Sequence, residues 1–225
     1  HVDHQLRAES ADDAAFVQEL AARLDVPVVV DRRDVAARCR REGWSLEDGA
    51  RRIRYECFVE AAARHSAQVV ALAHTADDQA ETVLMRLLRG SGLTGLAGMP
   101  VMREMSGVRI VRPLLQCWRQ ELAAYVRRAG LAHRDDASNA DRRFVRNRIR
   151  HELLPMLARD YNPNIKAALV QLAGQSRVDH TYLQSAARRY WKRVARATRS
   201  GDVTLKLPVL ARQPEALQRE LVRQA

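Results

Sequence analysis

Two carboxylates with the spacing of a binding or catalytic pair follow the apolar run at residues 68–73. The segment is His74-Thr75-Ala76-Asp77-Asp78-Gln79-Ala80-Glu81-Thr82. In a helix, Asp78 and Glu81 would share one face because they are three residues apart. Such a pair could hold an ammonium group, accept its proton, or bind Mg²⁺. The same acids also fit a helix N-terminal cap of the T-x-x-D or D-x-x-E kind, so the pattern leaves both roles open.

A second candidate site lies on the helix predicted for residues 45–65. One stripe of this helix, at i, i+3, i+4 spacing, consists of Arg51, Arg54, Tyr55 and Phe58. Two arginines beside two aromatic rings can grip a phosphate or a base. The alternative is a solvated face on which Glu47 and Glu60 pair with the arginines.

A third candidate is an arginine-rich segment that follows Asp136-Ala137-Ser138-Asn139. Five arginines fall within nine residues and interleave with one asparagine: Arg142, Arg143, Arg146, Asn147, Arg148 and Arg150. Counterion release on phosphate binding would exploit these charges directly. The alternative is a helix capped by Ser or Asn with exposed arginines. A further basic stripe, over residues 188–199, interleaves with Tyr190 and Trp191; it suits RNA contact or a helix packed through those two rings.

Net charge makes nucleic acid a leading partner. The formal charge is +11, from 38 Lys+Arg against 27 Asp+Glu, and a field of this sign attracts polyanions. The alternative is an arginine-rich composition that only decorates the surface. Of the basic residues only Lys166, Lys192 and Lys206 are lysines.

Cysteine usage and hydropathy exclude several classes of protein. The three cysteines give no disulfide framework, no C-x-x-C motif and no zinc or iron–sulfur spacing. A reduced, cytoplasmic protein is therefore expected. No apolar run approaches the roughly 18 residues of a membrane span, so no membrane partner is expected.

Alternating apolar runs and amphipathic helices predict the elements that position these residues. Helices are expected over about 11–25, 45–65, 77–89 and 118–130, and buried strands over 26–31, 68–73 and 108–113. This order predicts an α/β fold with a doubly wound, mostly parallel sheet, whose ligands bind beyond the carboxyl ends of the strands. After Pro155 a long helix over about 165–199, a strand over 203–208 and a helix over 214–225 are expected. The predicted domains are a catalytic domain (1–157), a helical arm (158–200) and the beginning of a second, truncated substrate-binding domain (201–225).

Taken in order, these segments resemble the tRNA(Ile)-lysidine synthases, within the N-type PP-loop ATP-pyrophosphatase superfamily. The matching pieces begin with His1-Val2-Asp3-His4-Gln5-Leu6-Arg7 and continue through Ala50-Arg51-Arg52-Ile53-Arg54-Tyr55 and the H-x-x-D-D-Q-x-E-T element. They end with Arg112-Pro113-Leu114-Leu115, the D-x-S-N element at 136–139, and Arg146-Asn147-Arg148-Ile149-Arg150. The match covers about residues 1–160.

The resemblance implies a fold of the adenine nucleotide alpha hydrolase type and a ligase that forms a carbon–nitrogen bond. ATP, with Mg²⁺, would adenylate C2 of the wobble cytidine in a tRNA(Ile) with a CAU anticodon. Free L-lysine would then attack C2, expel AMP and form lysidine. A homodimer is a further possibility.

The resemblance also assigns roles to residues of this sequence. It implies Asp78 and Glu81 as catalytic residues. The implied substrate-binding residues are Arg51, Arg54, His74, Asp77 and Arg112, and the implied tRNA-binding residues are Arg142, Arg143, Arg146, Asn147 and Arg150. We also expect His74, Asp78, Glu81 and at least one of Arg51 and Arg54 to converge on one pocket.

One departure from the family pattern and two rival functions remain. Family members carry an S-G-G-x-D-S loop before the H-V-D-H strand, and this sequence has none, so the chain as given is expected to be inactive and to start partway into the protein. The enzyme rival is another PP-loop tRNA-modifying enzyme, such as a cytidine thiolase, which would use paired cysteines or a cluster. The non-enzyme rival is an RNA-binding module without catalysis.

Overall fold

The chain alternates short strands with helices in a computed structural model that describes residues 1–6, 10–134, 141–142, 144–197 and 202–225. In chain order the elements are β1 (Val2–Asp3), α1 (Ser10–Arg23), β2 (Asp31–Arg32), α2 (Val35–Glu42), α3 (Leu46–Arg64), β3 (Val69–Ala71), α4 (Ala76–Leu88), α5 (Leu93–Leu96), β4 (Met102–Met105), β5 (Val108–Val111), α6 (Arg119–Arg128), α7 (Val145–Arg148), a π-helical turn (Ile149–Leu153), α8 (Leu154–Asp160), α9 (Ile165–Val194), β6 (Ala195–Ala197), β7 (Val203–Leu205), α10 (Leu207–Leu210) and α11 (Glu215–Gln224).

The chain divides into two compact units. Unit 1 combines His1–Thr75 with Pro100–Asn147, and unit 2 combines Ala76–Met99 with Arg148–Ala225. Each unit is therefore built from two separate stretches of the chain. The domain boundaries expected at residues 157 and 200 remain a prediction.

Strand pairing in unit 1 confirms the α/β class. β3 pairs with β5 in parallel, β4 adds to the other edge of β5 antiparallel, and β1 pairs with β2 in parallel. The helical segments between the parallel strands are what such pairing requires, because a parallel connection needs a crossover. Two of the three strand pairings in unit 1, spread over a two-stranded and a three-stranded sheet, are thus parallel, in line with the expected mostly parallel arrangement.

Two of the expected buried strands are wrong in extent and exposure. Of the strand expected over 26–31, only Asp31 pairs with another strand, as part of β2, and Val26 and Val28 are 51% and 37% exposed. Within the described chain, β2 has only the two residues of β1 as a partner, so the preceding valines join no ladder. β3 lies at the edge of its three-stranded sheet, and Val69 is accordingly exposed.

Helix α3 begins where the sequence predicts and buries two of its faces. The Ser45 side chain accepts a hydrogen bond from the backbone N–H of Asp48 and caps the helix. Ile53 and Cys57 pack with residues of α2, whereas Tyr55 packs against Val108 and Ile110 of β5. Leu46 is 46% exposed because it occupies the first position of the helix.

In unit 2, α4 packs against the long helix α9 over a core of small and branched side chains. The core consists of Ala80, Val83, Leu84, Ile149, Leu154, Leu169 and Ala173. Because the first residues of this set lie on α4, the core fixes the orientation of that helix.

The side chain of Gln79 on α4 forms hydrogen bonds that hold the end of the glycine-rich segment 90–98, which follows the helix. Its side-chain amide is buried, donates to the carbonyl of Met99 (3.0 Å) and accepts from the N–H of Met99 (2.7 Å). Gly98, at φ +65°, approaches this amide so closely that a Cβ atom would lie 2.7 Å from Oε1 of Gln79. Arg86 also donates to the carbonyls of Gly95 and Gly98.

The C-terminal elements pack around the end of α9. The 30-residue helix continues through Gly174 and ends at Val194, and Ala195–Ala197 pairs antiparallel with β7. The helix expected to reach residue 199 is therefore shorter than predicted, because β7 supplies a strand partner. Tyr190 and Trp191 pack against a core that includes Leu210, Leu217 and Leu221, as the packed-helix alternative predicts. Within the described residues, no helix has the length and apolar character to cross a membrane.

We predict that Gly98→Ala lowers the free energy of unfolding by about 3 kcal/mol. The positive φ costs about 1 kcal/mol in an alanine, and displacement of the buried Gln79 amide breaks two hydrogen bonds. Gly90→Ala is the matched control, because Gly90 has φ +75° and a Cβ atom added to it would meet no other atom within 4 Å. Urea unfolding should show a loss of only about 1 kcal/mol for that variant. Equal losses in both variants would contradict the role of Gln79.

Candidate functional site

Asp78 and Glu81 share one guanidinium. Nε and Nη2 of Arg150 donate to the two carboxylate oxygens of Glu81, at 2.6 and 3.1 Å. Nη2 of Arg150 also lies 3.4 Å from Oδ1 of Asp78. The two acids therefore share one face of α4, as predicted. On this face both contact the guanidinium of Arg150, which lies 69 residues from Glu81 in the chain.

This ion pair is largely buried. The side chain of Glu81 is 2% exposed, and those of Asp78 and Arg150 are 14% and 18% exposed. Burial lowers the pKa of Arg150, but the hydrogen bond and charge of Glu81, with the charges of Asp78 and Asp77, outweigh it and leave the pKa raised. The guanidinium therefore stays charged, and its bidentate contact is the geometry that binds carboxylates best.

Asp77 has a cationic neighbour of its own. Nζ of Lys166, near the start of α9, lies 2.7 Å from Oδ1 of Asp77. Three acids within five residues of α4 are thus held in place by basic side chains from other parts of unit 2. An ammonium group on a carboxylate of this cluster is one contact that the fold already makes.

The residue at which α4 begins decides whether Asp78 and Glu81 can cap this helix. Because α4 begins at Ala76, Asp78 lies in its first turn and Glu81 in its second. Glu81 is too far along the helix to cap the free N–H groups, and its oxygens bind Arg150 instead. Capping remains open for Asp78 but not for Glu81.

Arg150 projects from a π-helical turn. Ile149–Leu153 forms this turn between α7 and α8. Ile149 and Leu154 are buried in the core of unit 2, and Arg150 lies between them in sequence. The π-helical turn thus presents Arg150 to α4 while its neighbours pack in the core. Such turns are rare, and they often occur at functional sites.

The arginines predicted to bind substrate lie in unit 1. Nε and Nη2 of Arg54 both lie 3.4 Å from Nε2 of His4. Burial and the charge of Arg54 lower the pKa of His4, opposed by Asp3, so a neutral imidazole can accept a hydrogen bond from Arg54. The guanidinium of Arg51 lies over the ring of Tyr55.

Two further predicted substrate residues differ in exposure. Arg112 is 2% exposed and donates to the carbonyl of Pro100 and to the hydroxyl of Tyr55. His74 is half-buried after β3 in unit 1, whereas Asp78 and Glu81 belong to unit 2. The convergence of these residues on one pocket therefore stays a prediction.

The predicted tRNA-binding residues fall into different environments. Arg142 is exposed and Arg146 is half-buried. Asn147 is buried, and its amide donates to the carbonyl of Asp141 (2.9 Å), which gives it a structural role. Arg150 faces the carboxylates of α4. Arg143 and the D-x-S-N element lie outside the described residues.

Sequence reasoning assigned no role to several residues of these sites. Gln79 lay inside a recognised motif, and Ala76 and Val83, its neighbours at helical spacing, could have indicated a buried amide. Lys166 is one of only three lysines, and this rarity was the feature of the sequence that could have drawn attention to it. Arg103, which contacts Tyr55, had no signal because its position depends on the pairing of β4 with β5.

The described residues contain no preformed metal centre. Among them, no group of three or more His, Cys, Asp or Glu side chains is arranged to hold a metal ion. The acids that come closest, Asp78 and Glu81, share Arg150, whose positive charge opposes a divalent cation. No chemistry is therefore assigned to Mg²⁺.

Comparison with known proteins identifies close relatives. The chain is 45% identical over its whole length to the tRNA(Ile)-lysidine synthase of Symbiobacterium thermophilum and covers 48% of that protein. The enzyme of the same name from Geobacter sulfurreducens is 42% identical, with 100% of this chain and 47% of that protein covered. For Geobacillus kaustophilus the identity is 35%, with 99% and 48% covered. The chain thus spans about half the length of the curated relatives it matches.

A solved structure and a family model agree on the fold. A U34-tRNA thiolase from Methanococcus maripaludis matches with a TM-score of 0.62 at 13% identity, over 77% of this chain and 60% of that chain. At that identity the likeness concerns the fold alone. The model of the PP-loop domain matches residues 1–157. The expected resemblance is confirmed: the chain belongs to the PP-loop domain family, and the curated relatives it matches are named tRNA(Ile)-lysidine synthases.

Proposed function

We propose that this chain provides the lysine-binding and tRNA-binding parts of an ATP-dependent tRNA(Ile)-lysidine synthase. ATP would activate C2 of the wobble cytidine as an adenylate. The amine of free L-lysine would then form the new carbon–nitrogen bond as AMP leaves. The names of the curated relatives support the reaction, and the carboxylate cluster on α4 supports the binding of a cationic amine.

The observation that carries the proposal is the contact of Arg150 with both Asp78 and Glu81. It joins two motifs that the resemblance singles out, D-D-Q-x-E-T and R-N-x-I-R, in one buried ion cluster. The two carboxylates carry one more formal charge than Arg150 neutralises, so the cluster keeps one negative charge that a monovalent ammonium group would balance. Lysine carries such a cation.

The distances favour different roles for the two acids. Glu81 is fixed by two hydrogen bonds from Arg150, whereas the contact of Asp78 with the same guanidinium is longer, at 3.4 Å. Of the two contacts with Arg150, that of Asp78 is therefore the weaker. We assign Asp78 to the ammonium group of lysine, and Glu81 with Arg150 to the positioning of Asp78.

Arg51 and Arg54 are proposed to stabilise the charge of the departing AMP. A guanidinium near a developing negative charge lowers the energy of the transition state. His4 holds the guanidinium of Arg54 from the side, which supports a defined orientation.

The tRNA would be held by positive charge. The net charge is +11, and the exposed Arg142 and half-buried Arg146 lie just before the ion cluster in the chain. Recognition of the CAU anticodon, a homodimer and a cytoplasmic location remain predictions. Arg150 keeps its proposed contact with tRNA only if it can leave Glu81.

Thiol chemistry, which the rival tRNA thiolase requires, finds little support. Cys39 and Cys57 are buried in the core between α2 and α3. Burial raises the pKa of Cys57 despite the opposing charge of Arg33, so its thiol stays protonated at neutral pH. A protonated, buried thiol is a poor nucleophile.

Lysine incorporation tests the proposed reaction. The full-length protein encoded by the gene should transfer radiolabelled lysine to a tRNA(Ile) transcript with a CAU anticodon, only when ATP is present. A transcript with a CAU-to-GAU change is the control. Tight tRNA binding with no transfer of lysine would instead select the non-catalytic RNA-binding module.

Variants of the two acids should separate binding from structure. Asp78→Asn should raise the KM for lysine about tenfold or more, since a charge-assisted hydrogen bond contributes roughly 1.5–3 kcal/mol. Glu81→Gln should lower the free energy of unfolding by about 2 kcal/mol, because Arg150 then loses the charge that it contacts most closely. Both quantities are measured on each variant, by steady-state kinetics and urea unfolding.

Asp48→Asn provides the control for these variants. Asp48 forms an exposed i,i+4 ion pair with Arg52 on α3, so its loss should change stability by less than about 0.5 kcal/mol. Wild-type stability of Glu81→Gln together with a sharp loss of lysine use would show that Glu81, not Asp78, holds the ammonium group.

Salt dependence should separate Arg146 from Arg150 in tRNA binding. Arg146→Ala should reduce the slope of log K against log salt by about one unit if one phosphate contact is lost. Arg150→Ala should leave the slope unchanged and lower thermal stability, because the structure pairs this residue with carboxylates. Filter binding over a series of salt concentrations measures the slopes. The opposite pattern would place Arg150 on the RNA.

A further inference from the structure

Three arginines surround one buried tyrosine in unit 1. The guanidinium carbons of Arg51 and Arg103 lie 5.0 and 4.5 Å from the ring centroid of Tyr55. Nη2 of Arg112 donates to the Tyr55 hydroxyl at 3.3 Å. Tyr55 itself is only 5% exposed, and Phe58 packs against its ring edge. We call Arg51, Arg103, Arg112 and Tyr55 the arginine–tyrosine cluster.

In the part of the chain that the structure describes, these three guanidiniums lack acidic partners. No Asp or Glu oxygen among those residues lies within 4.0 Å of their nitrogens, whereas Arg38 and Arg52, also in unit 1, form ion pairs with Glu56 and Asp48. The oxygens that Arg112 contacts, those of Pro100 and Tyr55, are neutral. The cluster therefore concentrates three positive charges without a counter-charge from the described residues.

The lack of a counter-charge is energetically unfavourable at this depth. Arg112 is 2% exposed, and the Nε atoms of Arg103 and Arg112 are buried without a hydrogen-bond partner in the described structure. A buried charge is normally paired, because removing it from water is costly. Burial raises the pKa of Tyr55, but the charges of Arg51, Arg112 and Arg103 outweigh it and leave the pKa lowered. The cluster thus already favours a negative group.

The cluster lies where a ligand can reach it. Arg112 directly follows β5, at the carboxyl end of a strand that pairs in parallel with β3. Ligands of open α/β sheets bind at that end. Arg103 of β4 lies opposite Ile110 of β5, and Ile110 packs against Tyr55. Arg103, Ile110 and Tyr55 therefore lie on the same face of the sheet. Arg51 is exposed and Arg103 is half-buried, which leaves part of both residues open to solvent.

From this geometry we propose that the arginine–tyrosine cluster binds a phosphoryl group, with Arg51 and Arg103 as direct ligands and Arg112 as the buried charge behind them. A carboxylate would neutralise one of three charges, whereas a phosphate dianion or a pyrophosphate matches the cluster better. Planar guanidiniums bind phosphate oxygens in a bidentate manner. The source of the phosphoryl group, either ATP with its pyrophosphate product or the RNA backbone, rests on the proposed function.

Titration calorimetry of the 225-residue chain with pyrophosphate and with a tRNA(Ile) transcript tests the site. Arg51→Met and Arg103→Met remove charge while they keep an apolar stem, and neither residue is fully buried. Arg109→Met is the matched control: Arg109 is exposed on β5 and its side chain alternates to the opposite face of the sheet from Ile110. Each cluster variant should weaken binding of one of the two probes about tenfold or more, and the control should leave both unchanged.

The two probes distinguish the sources. Weaker pyrophosphate binding assigns the site to the nucleotide, and weaker tRNA binding alone assigns it to the RNA backbone. Unchanged binding of both probes in Arg51→Met and Arg103→Met overturns the proposal, as does equal weakening by Arg109→Met. Absorbance titration supplies a second readout. Bound pyrophosphate should raise the pKa of Tyr55, and the Tyr55→Phe variant identifies the signal of this tyrosine because it removes it.

Failure of the site and failure of the proposed function remain distinguishable. If the full-length protein transfers no lysine but the cluster variants still lose phosphoryl binding, the site stands and the reaction is rejected. If lysine transfer occurs and phosphoryl binding is unchanged in Arg51→Met and Arg103→Met, the reaction stands and the site is rejected.

Discussion

The bidentate contact between Arg150 and Glu81 is the interaction on which the arrangement of unit 2 depends. A carboxylate that is 2% exposed needs a partner, and Arg150 supplies it from a segment 69 residues away. The contact can form only if α4 and the helical stretch 148–160 keep one relative position, which the shared core of Val83, Ile149 and Leu154 maintains. Asp78, one turn earlier on the same face, is positioned as a consequence. Electrostatics and packing therefore enforce the same geometry.

Arginine serves two opposite purposes in this chain. In unit 2, Arg150 and Arg86 satisfy buried carboxylates and carbonyls, so their charge and donors are used by the fold itself. In unit 1, Arg51, Arg103 and Arg112 gather around an aromatic ring with no acid of the described residues beside them. A composition in which nearly all positive charge is arginine permits both, because the planar guanidinium stacks on rings as well as it binds oxygens.

The sequence predicted those features that depend on local chemistry. The start of α3, the start of α4 and the common face of Asp78 and Glu81 all follow from residues within one or two turns. Features that depend on distant partners were missed. The apolar run that contains Val26 and Val28 has the composition of a buried strand, yet burial requires neighbours that composition does not specify. For the same reason, the periodicity of α3 could not show that Tyr55 would turn towards β5.

The π-helical turn at Ile149–Leu153 makes the chain sensitive to its length at this point. A π-turn accommodates one more residue than an α-helical turn, and each residue rotates an α-helix by about 100°. Loss of a single residue between Arg150 and Leu154 would restore an ordinary α-helix and rotate Arg150 against the core residues that follow it. Either the guanidinium or Leu154 would then leave its place. A substitution in this turn changes one side chain, whereas a deletion would rotate all the helical residues on one side of it. The number of residues in the turn is therefore more tightly constrained than the identity of most of them.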